Sequence, residues 1–218
     1  MIAVVDAGIG NLRSVEKAVA VALRDSGAPG EVVLVSDPDV LRRADRVVVP
    51  GQGAFGDSAR ALRPDAPLGA AVVERIRAGT PYLGICLGLQ LLFDSSEEAP
   101  GEPGLSIVGG AVRKLPSDAV EHGRPCKLPH IGWAPTTSLT EATGDDALSR
   151  ALSAWFYYVH SYAAQPADAS IVAATAPFGA GKITAAVRKE NVLAVQFHPE
   201  KSQAAGLALL RAFLAWRP

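Results

Sequence analysis

Cys86 has a glycine two residues away on each side, in Gly84-Ile85-Cys86-Leu87-Gly88. His198-Pro199-Glu200 closes one apolar run, and Pro50-Gly51-Gln52-Gly53 follows another. The first block has the pattern of a nucleophile on a sharp strand-to-helix turn. There the helix's unpaired N–H groups and positive dipole end favour a thiolate. The second block supplies a base, with a carboxylate two residues on that can hold one imidazole tautomer. The third is a glycine-rich loop able to bring backbone N–H groups up to a developing oxyanion. The chemistry implied is thiolate attack on a carbonyl carbon. Cys86 is the nucleophile, His198 the base and Glu200 its orienter, with Leu87 and the Gln52–Gly53 peptide as oxyanion donors. No metal or cofactor is needed.

The elements that must position these groups are legible from periodicity. The run 80–93 reads as strand, tight turn and helix, with Cys86 at the join and its sulfur exposed. Residues 192–197 form a strand, and Pro199 gives His198 an extended exit from it. Strand ends on one edge of a parallel sheet are where open α/β folds place their chemistry. The first half alternates strand and helix: strands 2–6, 32–35, 46–49 and 82–85, with helices over 11–25, from 36 onwards and around 70–77. In the second half, short strands over 106–114, 130–137, 155–163, 171–175, 184–188 and 193–197 precede a helix over 204–216. Some of them are expected to form a small antiparallel layer on the edge of the sheet. The fold class read from this pattern is α/β: three layers, a mostly parallel sheet flanked by helices, and one domain spanning 1–218.

Composition narrows the function classes. A chain of 218 residues, 49% of them hydrophobic, can bury a substantial core. The formal net charge of −1 gives no electrostatic footprint for nucleic acid. Two cysteines, one of them in a reactive setting, suit a reducing compartment better than a disulfide framework, and Cys126 is read as structural. No leader is expected before the strand at residue 2, and no apolar run reaches membrane-spanning length, so the expected location is cytoplasmic. Gly8-Ile9-Gly10 lacks the third glycine of a dinucleotide loop, Arg13 standing in its place, so no NAD site is expected. His122 is read as a loop residue.

With these blocks placed, the sequence resembles the class I (triad-type) glutamine amidotransferases. The segments GICLG at 84–88 and QFHPEKS at 196–202 carry that likeness. More narrowly it resembles the glutaminase subunits of imidazole glycerol phosphate synthases. That likeness rests on Gly10-Asn11-Leu12-Arg13-Ser14-Val15, Pro129-His130-Ile131-Gly132-Trp133 and Tyr157-Tyr158-Val159-His160-Ser161-Tyr162. The resemblance implies attack by Cys86 on the glutamine side-chain amide, ammonia leaving with a proton from His198, and hydrolysis of a glutamyl thioester. It implies that Gly53, Gln90, Glu98, Ser161 and Tyr162 hold glutamine, with Glu98 meeting the ammonium. Asn11, Trp133, Tyr157 and Lys201 match positions that face a barrel-shaped cyclase subunit in a heterodimer. Ammonia channelled to that partner yields imidazole glycerol phosphate and an aminoimidazole carboxamide ribonucleotide, in histidine biosynthesis.

Gln52, Leu89 and Ala7 depart from the valine, methionine and aromatic residue common at those positions, and none removes a reacting atom. The competing readings are a glutaminase serving anthranilate, guanylate or pyridoxal phosphate synthesis, and a standalone cysteine hydrolase of γ-glutamyl peptides. The intact Cys86, His198 and Glu200 disfavour a non-catalytic scaffold.

Overall fold

The computed structural model describes residues 1–8, 11–121, 123–139 and 147–218. His122 and the Ile9-Gly10 part of the first glycine loop lie outside the described residues. The first half of the chain runs β1 (Ile2–Val5), α1 (Leu12–Ser26), β2 (Val32–Val35), α2 (Pro38–Leu41), β3 (Arg46–Val49), α3 (Phe55–Ala61), α4 (Pro67–Arg77), β4 (Tyr82–Ile85) and α5 (Leu87–Gln90). There follow β5 (Ser95–Ser96), β6 (Gly110–Lys114), β7 (Val120–Glu121), β8 (Arg124–Pro125), β9 (His130–Pro135), β10 (Thr137–Ser138) and α6 (Ala147–Leu152). The chain closes with β11 (Trp155–His160), β12 (Tyr162–Pro166), β13 (Val172–Phe178), β14 (Gly181–Lys189), β15 (Val192–Val195) and α7 (Gln203–Ala215).

The main sheet has eight strands in the order β10-β13-β14-β15-β4-β3-β1-β2. Strands β15, β4, β3, β1 and β2 run parallel, and β14, β13 and β10 extend the sheet antiparallel. β5, β6 and β12 form a separate three-stranded sheet, and β9 pairs with β11 as a two-stranded ribbon. The expected antiparallel part is therefore shared between a sheet extension and these smaller sheets.

Strand alternation explains the layering, because successive side chains point to opposite faces. Ile2, Val4, Val48, Leu83, Ile85, Leu193 and Val195 pack in one core with Val15 and Val19 of α1 and Leu209 and Phe213 of α7. Their neighbours Ala3, Val5, Val47, Val49, Tyr82, Val192 and Ala194 pack in the other, with Phe55 of α3 and Val72 and Ile76 of α4. Strands buried on both faces read as continuous Val/Ile/Leu runs, as these do. Among the described residues no helix is long and apolar enough to cross a membrane.

Among the differences from the sequence-based expectation, three stand out. The helix after Cys86 is a single turn, Leu87–Gln90, because the chain turns away through Leu91–Phe93 to reach β5. The run 155–163 breaks at Ser161 into β11 and β12, which join different sheets. The strand expected over 106–114 begins only at Gly110.

Two close backbone approaches fix where β4 ends. A Cβ added to Gly88 would lie 1.9 Å from the Val49 carbonyl oxygen, and one added to Gly84 would lie 2.4 Å from the Gly88 carbonyl oxygen. The turn therefore rests on backbone, with the buried Tyr82 hydroxyl donating to the Gly88 carbonyl at 2.8 Å. Gly88→Ala is expected to destabilise the fold by about 3 kcal/mol or more, since backbone must move to admit the methyl group. A wild-type midpoint in a denaturant melt would refute this packing.

Candidate active site

Cys86 joins β4 to α5 at φ 54°, ψ −103°, a conformation costing a non-glycine residue about 1–3 kcal/mol. Hydrogen bonds on both sides hold it there. Its N–H donates to the Val195 carbonyl at 2.8 Å, and its carbonyl accepts from Leu89 N–H at 3.0 Å and Gln90 N–H at 3.1 Å. The residue is buried at 6% exposure, so the sulfur does not project into solvent as the sequence suggested. It meets the outside through a cavity of about 370 Å³. A one-turn helix adds little dipole, and its contribution is the free N–H groups of the first turn, Leu87 among them.

The loop after β3 packs directly on this turn. A Cβ on Gly51 would lie 2.3 Å from Leu87 Cβ and 2.9 Å from Gly88 N, so only glycine allows the approach. Gly53 has φ +117°, and Gln52 and Gly53 line the cavity beside Cys86 and Leu87. The four residues around the expected oxyanion position are thus brought together.

His198 sits just past β15. Its N–H donates to the Tyr157 carbonyl of β11 at 2.9 Å, and its carbonyl accepts from Lys201 N–H at 3.0 Å. The Ser202 hydroxyl donates to that same carbonyl at 2.6 Å and accepts from Tyr157 N–H at 3.0 Å. The ring is set by Glu200, whose Oε1 lies 2.8 Å from His198 Nδ1, both side chains being 1% exposed. A carboxylate only accepts, so Nδ1 carries the proton and Nε2 is left for the sulfur side. Among the described residues Nε2 has no hydrogen-bond partner. Burial alone would lower the imidazole's pKa, but the neighbouring Cys86 sulfur and the Glu200 carboxylate outweigh it and push His198 up to about 9.

The residues expected to hold glutamine lie on the same cavity: Gly53, Gln90, Glu98, Ser161 and Tyr162. Glu98 accepts from Phe55 N–H at 3.3 Å, and its carboxyl is raised by burial, partly countered by that bond. Gln90 is buried and spends both N–H groups on the protein, on the Tyr162 carbonyl and on Gln196 Oε1, each at 3.0 Å. Only its carbonyl oxygen remains for a ligand.

Three of the four expected interface residues cluster. Trp133 and Tyr157 meet edge to face with ring centroids 6.3 Å apart, and Lys201 Nζ lies 5.8 Å from the Tyr157 ring centroid. Asn11 is elsewhere, at the N-cap of α1, bordering a narrow gap with Gln52, His198 and Glu200. Sequence reasoning missed the neighbours that enlarge this surface. Strand alternation puts Ile131 and Pro135 of β9 and Trp155 and Val159 of β11 on the same face of the ribbon as Trp133 and Tyr157. Ile131 is 58% and Trp155 59% exposed, and their two-residue spacing from Trp133 and Tyr157 was the available signal. Also missed were Gln196, against the Cys86 sulfur, and His160, on the cavity wall.

His160 is buried and neutral. Its Nδ1 donates to the Tyr162 carbonyl at 2.8 Å, and its Nε2 faces His130 Nδ1 at 3.2 Å. Burial, with the nearby His130 and His198 acting in the same direction, takes its pKa down to about 4 against the pull of that carbonyl.

Comparison with known proteins identifies the family. Residues 4–215 match the family described as glutamine amidotransferase class-I. The chain is 47% identical over 223 residues to the imidazole glycerol phosphate synthase subunit HisH of Nitrosospira multiformis, covering 100% of this chain and 98% of that one. It is 44% identical over 218 residues to the subunit of the same name from Methylococcus capsulatus, covering 100% and 97%. A crystal structure of a glutamine amidotransferase shares the fold with a TM-score of 0.69 at 21% identity, covering 98% of this chain and 96% of that one. With near-complete coverage at these identities, the chain belongs to the class-I glutamine amidotransferase family, among the HisH subunits of imidazole glycerol phosphate synthase.

Proposed function

We propose that this chain is the cytoplasmic glutaminase subunit of an imidazole glycerol phosphate synthase, working as a heterodimer with a cyclase subunit. The observation that carries the reading is the meeting of Cys86, the His198–Glu200 pair and the Pro50–Gly53 loop on one cavity. Full-length relatives bearing that subunit's name support the choice of reaction.

The proposed reaction uses each of these groups in turn. Cys86 adds to the carboxamide carbon of glutamine, and the oxyanion is held by Leu87 N–H and the Gln52–Gly53 peptide. One such donor is worth roughly 3–4 kcal/mol in the transition state. His198, an imidazolium at neutral pH, gives its proton to the departing ammonia and so becomes neutral. It then takes a proton from water, which attacks the thioester and releases glutamate. Glu200 keeps Nδ1 protonated throughout and stabilises the imidazolium. Glu98 receives the substrate ammonium, with Gln90, Ser161 and Tyr162 completing the pocket.

The cyclase docks on the outer face of the β9–β11 ribbon. Exposed aromatic side chains of this kind are typical interface anchors. Trp133 and Trp155 provide area there, and Lys201 a rim charge beside the cavity mouth. Ammonia released at Cys86 then passes to the partner without meeting bulk water.

Glutamate release by the purified chain is expected to be low alone and to rise strongly only with the cyclase and its nucleotide substrate present. Cys86→Ala should abolish glutamine use by at least about four orders of magnitude, leaving ammonia-driven synthesis by the cyclase intact. Turnover that ignores the cyclase would mean a standalone hydrolase or a different partner. Trp133→Ala is expected to weaken the complex about tenfold or more in calorimetric titration, and unchanged affinity would remove the ribbon from the interface.

The pH dependence has a definite sign. Because His198 is raised above the ordinary 6.5, its proton stabilises the native state fully below about pH 6.5. That stabilisation is lost as pH climbs through about 9. The general acid is lost over the same range, so kcat/KM should fall above about pH 9. Glu200→Gln removes one of the two raising partners, so the falling limb should move to lower pH. A limb unmoved by this substitution would separate it from His198.

A further inference from the structure

The segment between β15 and His198 carries a fully buried amide, Gln196, which the reaction above does not use. Its Nε2 lies 3.5 Å from Cys86 Sγ, within hydrogen-bonding range for sulfur. Its Oε1 accepts from Gln90 Nε2 at 3.0 Å, and its backbone N–H is spent on the Ala185 carbonyl at 2.8 Å. Either end of an amide can face a neighbour, so the sulfur would meet a donor or an acceptor according to what fixes the orientation.

A backbone carbonyl fixes it. The Tyr162 carbonyl can only accept, so Gln90 must turn its NH₂ toward it. The second N–H of that NH₂ then points at Gln196, which must answer with Oε1. Gln196 is left presenting N–H to the sulfur. The relay runs in one direction, from the Tyr162 carbonyl through Gln90 and Gln196 to Cys86.

We infer that Gln196 is a positioning residue for the nucleophile: its amide N–H holds the Cys86 thiolate on its attack line, and its Oε1 locks Gln90 with the carbonyl oxygen toward the substrate. A donor aimed at the sulfur favours the anion over the thiol and restricts its rotation. The same side chain thereby joins the group that attacks glutamine to a group expected to bind it. The role rests on the glutaminase reading, but the state of the sulfur can be followed without glutamine.

The test is the rate at which iodoacetamide alkylates Cys86, followed by peptide mass spectrometry with Cys126 as the reference thiol. Gln196→Met and Gln196→Leu keep the volume and remove the donor. In whichever of them folds, alkylation of Cys86 at neutral pH should slow by about tenfold, the order expected for losing one hydrogen bond to a charged group. Gln196→Glu supplies a reading that a structural role would not move. A carboxyl donates to the sulfur only while protonated and opposes it once ionised. Its rate relative to wild type should therefore fall steadily as pH rises.

The other titratable groups on the cavity and behind His198 are Glu98, His160, Tyr162, Lys201 and Glu200, and these are the same in every variant. A wild-type or faster rate in the apolar variants, or a flat ratio in Gln196→Glu, overturns the proposal. Absence of glutamate release by the wild-type complex would instead defeat the glutaminase reading and leave the alkylation result standing.

Discussion

The site depends on backbone meeting backbone where no side chain can stand. Gly84, Gly88 and Gly51 let the cysteine turn press against the end of β3 and the loop that follows it. That closeness brings Leu87 of the turn and Gln52 and Gly53 of the loop onto one cavity. It also holds Cys86 at positive φ, a conformation that would relax if the neighbours gave way. Its strain is balanced by the buried ladder on either side, where β4 lies between β3 and β15 with all four of its residues buried. A site assembled this way tolerates little movement, because protein interiors pack at the density of organic crystals. Rigidity of this sort suits the proposed oxyanion donors, which must stay aimed at a charge that exists only in the transition state.

How much of this was legible in the sequence follows from how local each signal is. The paired glycines about Cys86, and His198 with Glu200 two residues on, are short-range patterns whose geometry follows from a strand ending in a turn. The three-layer arrangement was likewise legible, since β1, β15 and residues 47–49 of β3 are apolar runs suited to burial on both faces. The one-turn length of α5 was hidden, because Leu89, Leu91 and Leu92 continue an apolar pattern while the chain departs from the helix axis. The antiparallel extension through β13 and β14 was only partly visible, since its length depends on partners far away in sequence. Gln196 was hidden for the same reason. It reads as one polar residue in a strand until Gln90, 106 positions away, is brought beside it.

The β9–β11 ribbon and the proposed base, His198, share hydrogen bonds. His198 N–H donates to the Tyr157 carbonyl, and Tyr157 N–H donates to the Ser202 hydroxyl, which in turn donates to the His198 carbonyl. Tyr157 also packs its ring against Trp133 on the exposed face. A displacement of β11 would therefore reach the backbone of the proposed base by two short routes, one direct and one through Ser202, without crossing the core. This makes the outer face of the ribbon and the placement of His198 parts of one mechanical unit. It gives a partner bound there a short physical route to the chemistry.

Charge on the cavity wall is equally economical. A second imidazolium beside His198 would lower it and take away the proton that the proposed reaction gives to ammonia, yet His160 lines the same cavity. It is silenced by burial, and its tautomer is set by the bond from Nδ1 to the Tyr162 carbonyl. That carbonyl also accepts from Gln90, so its two lone pairs orient both polar walls of the site. On one side it holds a histidine as a neutral acceptor for His130, and on the other it turns an amide relay so that a donor ends at the sulfur. Each wall group is buried, so an unsatisfied alternative would cost about 1–3 kcal/mol per lost hydrogen bond. The direction of every hydrogen bond between β12 and Cys86 therefore follows from one backbone oxygen, which cannot itself reverse.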